Sequence, residues 1–144
     1  MNDKKKILFL CTHNAARSQM AEGIIKARYG DRYEAYSAGS EATNVHPCAV
    51  EVMTEVGIDI SGQLAKSLDV YRDAPFDYVV TMCPEAQTRC PIFPGAFVPG
   101  GVTYIHHGFD DPLLEVAPES ALCTPFSRVR DEIYQWIEAT FGQP

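Results

Sequence analysis

Apolar and polar residues along the chain fall into blocks of two kinds, short unbroken runs and longer stretches with a three- or four-residue repeat. Ile7-Leu8-Phe9-Leu10 is a short run after three lysines, and it predicts a buried strand over 6–10. Residues 18–29 then carry Met20, Ile24 and Ala27 at helical spacing, with Gly30 placed to end the helix and Ser18 available to cap it. Tyr33 to Ala38 alternates, which predicts a second strand before Gly39. A second helix is expected over 45–56. His46-Pro47 opens it, Ala49, Val52, Met53 and Val56 form its apolar stripe, and Gly57 closes it. Residues 58–68 read as a connection. Tyr78-Val79-Val80-Thr81-Met82 predicts a third, buried strand within 76–82, and 102–105 a weaker fourth. Between them Pro84, Pro91, Pro94, Pro99, Gly95, Gly100 and Gly101 mark loop. A long helix follows over 125–141, with Phe126, Val129, Ile133, Trp136 or Ile137, and Phe141 on one face.

Strands alternating with helices predict an α/β fold. It has three layers, with helices on both faces of a mostly parallel four-stranded sheet. No repeat or composition shift divides the chain, so 1–144 reads as one domain. Parallel sheets of this kind bind ligands beyond the carboxyl ends of their strands. Cys11 follows the first strand, Cys83 the third and Asp110-Asp111 the fourth, so three reactive groups should meet at one edge.

Composition narrows the partners. The net charge of −7 argues against nucleic acid, which calls for a basic surface. No apolar run approaches the roughly 20 residues of a membrane span, and the first run is too short for a signal peptide. A cytoplasmic location, no membrane contact and a monomer are the expectations. Five cysteines in a reducing compartment argue against a structural disulfide framework and leave catalysis, redox cycling, metal binding or burial.

Cys11-Thr12-His13-Asn14-Ala15-Ala16-Arg17-Ser18 joins the first strand to the first helix. A thiol reacts as its thiolate, which a helix N-terminus and a nearby arginine both favour. Backbone N–H groups from Thr12 to Arg17 can cradle an oxyanion, and the Arg17 guanidinium adds a planar fork. Ser18 can donate to the Cys11 sulfur, and Asn14 tolerates the backbone angles of a tight loop. Alone, Cys11 would read as a buried strand-end thiol and Arg17 as a solvated residue. The Cys-x5-Arg-Ser spacing between strand and helix favours a nucleophile in an oxyanion-binding loop.

Cys11-Thr12-x-Asn14-x-x-Arg17-Ser18-Gln19-Met20-Ala21-Glu22-Gly23 resembles the opening of the thioredoxin-coupled arsenate reductases with the low-molecular-weight tyrosine phosphatase fold. Tyr36-Ser37-Ala38-Gly39, Gly57-Ile58-Asp59-Ile60-Ser61, Phe109-Asp110-Asp111-Pro112 and Arg128-Val129-Arg130-Asp131-Glu132-Ile133 are similar to further segments of that family. The resemblance implies reduction of arsenate to arsenite, with phosphate or sulfate as competing oxyanions. Cys11 attacks arsenic, Asp111 protonates the departing oxygen, and Cys83 then forms a Cys11–Cys83 disulfide as arsenite leaves. Cys90 next forms Cys83–Cys90. An external dithiol reopens that pair, thioredoxin by resemblance, with glutaredoxin the lesser candidate. No tightly bound cofactor or metal is implied. The segment from Cys83 to Cys90 has to rearrange, because Cys83 must reach two partners in turn.

Several alternatives stay open. Cys83 and Cys90 with His106 and His107 could hold zinc, although zinc cysteines are usually closer in sequence. Asp111 before Pro112 could be a turn carboxylate. A tyrosine-type phosphatase needs only Cys11, Arg17 and Asp111, but Leu113-Leu114 stand where an aromatic substrate would call for aromatic neighbours. A non-enzymatic oxyanion or redox sensor is the third reading. His13 stands where relatives often have glycine, and Ala16 where they often have cysteine. Some relatives bind potassium through Asn, Glu, Ser and Asp. Asn14, Glu22 and Ser37 match three of these and Lys66 stands at the fourth, so its ammonium either replaces the ion or is simply solvated. Cys48 and Cys123 have no part in the relay and are expected to be inert thiols, with an off-pathway disulfide as the alternative. Cys123 lies in the stretch 113–124, which is longer than is usual for the family.

Overall fold

The computed structural model describes residues 4–71, 74–83, 101–115, 117–118 and 121–142. The elements run β1 (Lys5–Cys11), α1 (Arg17–Arg28), β2 (Tyr33–Gly39), α2 (Pro47–Glu55), β3 (Tyr78–Thr81), β4 (Thr103–His106) and α3 (Thr124–Phe141). Short 3-10 turns lie at Leu68–Tyr71 and Pro112–Leu114. Boundaries differ from the sequence expectation by a residue or two. Pro47 lacks an amide proton and fits the first turn of α2, so that helix begins there.

The sheet order is β2-β1-β3-β4 and every pairing is parallel. β1 is central, and its Ile7, Leu8, Phe9 and Leu10 are fully buried because both faces of the strand are covered. Ile7 and Phe9 join Val80 and Met82 in a core built with α1, α2 and α3. Leu8 and Leu10 join Ala38, Phe76 and Val79 on the other side, where Leu68 and Tyr71 of the 3-10 turn cover them. A parallel bridge from Gly39 to Ser67 extends the β2 end of the sheet.

This order makes a switch point. The chain leaves β1 for β2 on one side and returns to β3 on the other, so the carboxyl ends of β1 and β3 lie side by side. Such a crevice is where open α/β sheets place their ligands. No described helix is long and apolar enough to cross a membrane.

Candidate active site

Cys11 ends β1 and Arg17 begins α1, so the intervening loop caps a helix N-terminus. Asn14 has φ +52°, and it is the one described non-glycine residue at positive φ. Asparagine accepts that conformation better than most residues. His13, in place of glycine, lies outside the left-handed region and needs no backbone strain. Its Nδ1 is buried without a hydrogen-bond partner.

Ser18 does not cap α1. Ala16 occupies the N-cap position, and the Ser18 hydroxyl lies 2.8 Å from the Cys11 sulfur. The direction of that bond follows from its neighbours. Asn14 Oδ1 accepts from the Lys66 amide at 2.8 Å and from Gln19 Nε2 at 2.9 Å, which fixes the side-chain amide. Asn14 Nδ2 therefore donates to Ser18 Oγ at 2.7 Å, leaving the Ser18 proton for the sulfur. The Ser18 hydroxyl is thus aimed at the sulfur of Cys11.

Gln19 and Gln63 brace this loop. Gln19 Nε2 also donates to the Leu64 carbonyl, and Gln63 Nε2 donates to Gln19 Oε1. Sequence reasoning passed over both glutamines. Gln19 follows Arg17-Ser18 directly and was the available signal, whereas Gln63 lies 44 residues further on. The Gly39 backbone presses on the loop from behind. A Cβ there would lie 2.6 Å from the Thr12 carbonyl oxygen and 2.9 Å from the Asn14 nitrogen.

Arg17 is buried beneath the loop. Nη1 donates to the Phe109 and Met82 carbonyls at 3.2 and 3.4 Å, and Nη2 lies 3.4 Å from Asp111 Oδ2. Asp111 is buried too, and its Oδ1 accepts from the Leu113 amide at 3.0 Å. One cation thus links the ends of β1, β3 and β4 to the acid. Cys83 is buried at the end of β3, with its sulfur 3.7 Å from the Thr12 hydroxyl. Cys11 and Cys83 carry no disulfide. Cys90, and with it the stretch beyond Cys83 that was expected to rearrange, lies outside the described residues. His106 Nδ1 lies 2.6 Å from the Thr81 hydroxyl, and the His107 ring stacks on Phe109.

Asn14, Glu22, Ser37 and Lys66 meet on the opposite side of the loop. The buried Glu22 carboxylate accepts from Ser37 Oγ at 2.5 Å and from Lys26 Nζ at 2.5 Å, with Lys66 Nζ at 3.9 Å. The Lys66 ammonium also donates to the Leu64 carbonyl at 2.6 Å. Burial pushes the Lys66 pKa below its ordinary value, and the facing Glu22 charge opposes that shift.

Cys48 and Cys123 are bonded to each other across 75 residues, which corrects the expectation of two inert thiols. The physical reason is that the first turn of α2 packs against the start of α3. There the His46 ring stacks on Phe126 with centroids 4.7 Å apart, and the two cysteine Cα atoms are 5.1 Å apart.

Comparison with known proteins bears on what this arrangement is. The family model described as low molecular weight phosphotyrosine protein phosphatase matches residues 6–140. Arsenate reductase 2 of Staphylococcus haemolyticus is 46% identical over 137 residues, covering 95% of this chain and 96% of its own. A solved arsenate reductase in a phosphate-binding state superposes with a TM-score of 0.76 at 29% identity, covering 96% of this chain and 97% of its own. The thioredoxin-dependent arsenate reductase of Corynebacterium glutamicum has a TM-score of 0.62 at 31% identity, covering 97% of this chain and 64% of its own. With a cysteine, an arginine and an aspartate converging at the switch point of a parallel sheet, the chain belongs to the low molecular weight phosphotyrosine protein phosphatase family.

Proposed function

We propose that this protein reduces arsenate to arsenite through a three-cysteine relay, with a thioredoxin-type dithiol as electron donor. The observation that carries the reading is Cys83, a buried thiol 3.7 Å from the hydroxyl of Thr12, the neighbour of Cys11. A hydrolytic phosphatase has no use for a second thiol there. The curated relatives at 46% identity carry the name arsenate reductase, which supports the same choice.

The oxyanion binds over the loop amides, where a helix N-terminus and Arg17 supply positive charge in a chain that is acidic overall. Cys11 attacks arsenic, and a sulfur–arsenic bond replaces an arsenic–oxygen bond. Asp111 delivers its proton to the departing oxygen, with Arg17 and the Leu113 amide holding the carboxyl in place. Cys83 attacks the Cys11 sulfur. The sulfur–arsenic electron pair stays on arsenic, which leaves as arsenite, and a Cys11–Cys83 disulfide remains. Cys90 attacks Cys83 and frees Cys11, and the external dithiol reduces the resulting Cys83–Cys90 pair. Phosphate and sulfate compete for the loop.

The deciding assay is arsenate-dependent NADPH oxidation with thioredoxin and thioredoxin reductase, in the wild type and in Cys83→Ser and Cys90→Ser. The wild type turns over and both variants lose steady-state turnover. A wild type that is inactive here yet hydrolyses aryl phosphates would overturn the relay. Replacing thioredoxin with glutaredoxin and glutathione identifies the donor.

The phosphatase reading rests on the same Cys11, Arg17 and Asp111. Against it stands Leu114, three residues after Asp111, exposed and aliphatic where a phenyl ring would call for an aromatic neighbour.

The Lys66 ammonium takes the role of a bound cation beside Glu22, while its backbone amide bonds Asn14. Turnover is therefore equal in potassium and lithium chloride, and Lys66→Asp makes it potassium-stimulated. Potassium stimulation of the wild type would sink this assignment.

A further inference from the structure

The Cys48–Cys123 bond lies outside the relay, and its surroundings give it a role of its own. Cys48 is in the first turn of α2 and buried, whereas Cys123 is half-buried between exposed Leu122 and Thr124. A surface pocket of about 400 Å³ opens on the Cys123 side, lined by Glu51, Glu55, Leu122 and Ser127 among others. The two sulfurs are therefore unequal: an incoming thiolate reaches Cys123, and Cys48 is the leaving group. Departure from the N-terminal turn of a helix suits a thiolate.

Both sulfurs also sit on the supports of the catalytic groups. The His46 amide, two residues before Cys48, donates to the Ala15 carbonyl of the oxyanion loop at 2.9 Å. Arg128, in the second turn after Cys123, pairs with Asp110 at 3.3 Å and with Glu115, so it brackets the segment that carries Asp111. The disulfide is the covalent tie between these two supports.

We propose that Cys48–Cys123 is a second thiol–disulfide site, opened at Cys123 by a dithiol reductant, whose state sets how firmly the acid-bearing segment 110–115 is held. One donor thiolate attacks the Cys123 sulfur and Cys48 leaves as a thiolate. The second donor thiolate then attacks the donor sulfur of the mixed disulfide. One protein S–S bond is broken and one donor S–S bond is formed. Two electrons pass from the donor to the pair, and the two donor protons end on Cys48 and Cys123. Oxidised glutathione, a low-molecular-weight disulfide, reverses the exchange. This goes beyond the reductase reading and does not depend on it.

The test uses the full chain in a Cys83→Ser background, which keeps relay disulfides out, and needs no arsenate. Alkylation of the oxidised protein followed by peptide mapping yields Cys48 and Cys123 as a linked pair. Brief exposure to reduced glutathione places the adduct on Cys123. Full reduction with dithiothreitol raises amide hydrogen exchange in 110–115 several-fold while β1 stays protected. The unsubstituted protein repeats the exchange measurement, so a folding defect of the variant does not decide the result. Two alkylated thiols in the oxidised protein, an adduct confined to Cys48, or unchanged exchange in 110–115 would each overturn the proposal. Because no reading involves turnover, failure here and failure of the relay assay are separate results.

Discussion

The two sides of the site are built from different materials. On the loop side, Cys11, Asn14, Ser18, Gln19, Glu22 and Ser37 are all buried, and their side chains bond to backbone or to each other. On the acid side, Asp111 is buried but its flanks are held at the surface. Arg128, 41% exposed, reaches Asp110, Glu115 and Glu132 together. Buried networks of satisfied polar groups hold one geometry, while exposed ion pairs contribute little and yield to water and salt. The loop between β1 and α1 is thus preset, while around Asp111, itself held by buried Arg17 and the Leu113 amide, the flanks are held by contacts that can let go.

Asn14→Ala tests the strong side most severely. It leaves the Lys66 amide without its acceptor, removes the donor to Ser18 and places alanine at positive φ. The expected loss is about 2–5 kcal/mol in denaturant unfolding. A loss near that of a surface substitution would erase the contrast between the two sides.

Ser18→Ala sharpens the comparison at the reacting atom. Removing this hydrogen bond should slow iodoacetamide alkylation of Cys11 by roughly ten-fold, the effect of one lost bond of about 1.5 kcal/mol. An unchanged rate would mean the bond at 2.8 Å does not act on the reacting sulfur.

The smallest effect belongs to the weak side. Arg128→Ala should cost under about 1 kcal/mol of stability, and less in high salt than in low. Its partners are exposed carboxylates that water can satisfy.

The legible parts of the molecule were those written in short stretches. The run Ile7 to Leu10, the Cys-x5-Arg-Ser loop and the apolar stripe of the last helix carry local signals, and they fold where those signals predict. The meeting of Cys83 with Thr12 followed from one further rule, that parallel strands present their carboxyl ends on one edge. What stayed illegible depends on distant partners. Gln63 reaches Gln19 across 44 residues, and Cys48 meets Cys123 only because two helix starts happen to pack together. Ser18 carried two readings, a helix cap and a donor to the Cys11 sulfur, and only the second holds. A serine beside a helix start has two acceptable uses, and the sulfur 2.8 Å away decided between them.

Gly39 sets a boundary for anyone reshaping this enzyme. Because a methyl group there would overlap the Thr12 carbonyl and the Asn14 amide, the rear of the receptor has no spare volume for design. A library aimed at bulkier oxyanions should leave position 39 alone and diversify the front. In the 3-10 turn that Asp111 caps, Leu114 is 71% exposed and can change size without disturbing the loop. Selectivity in this scaffold is therefore adjustable from one direction only.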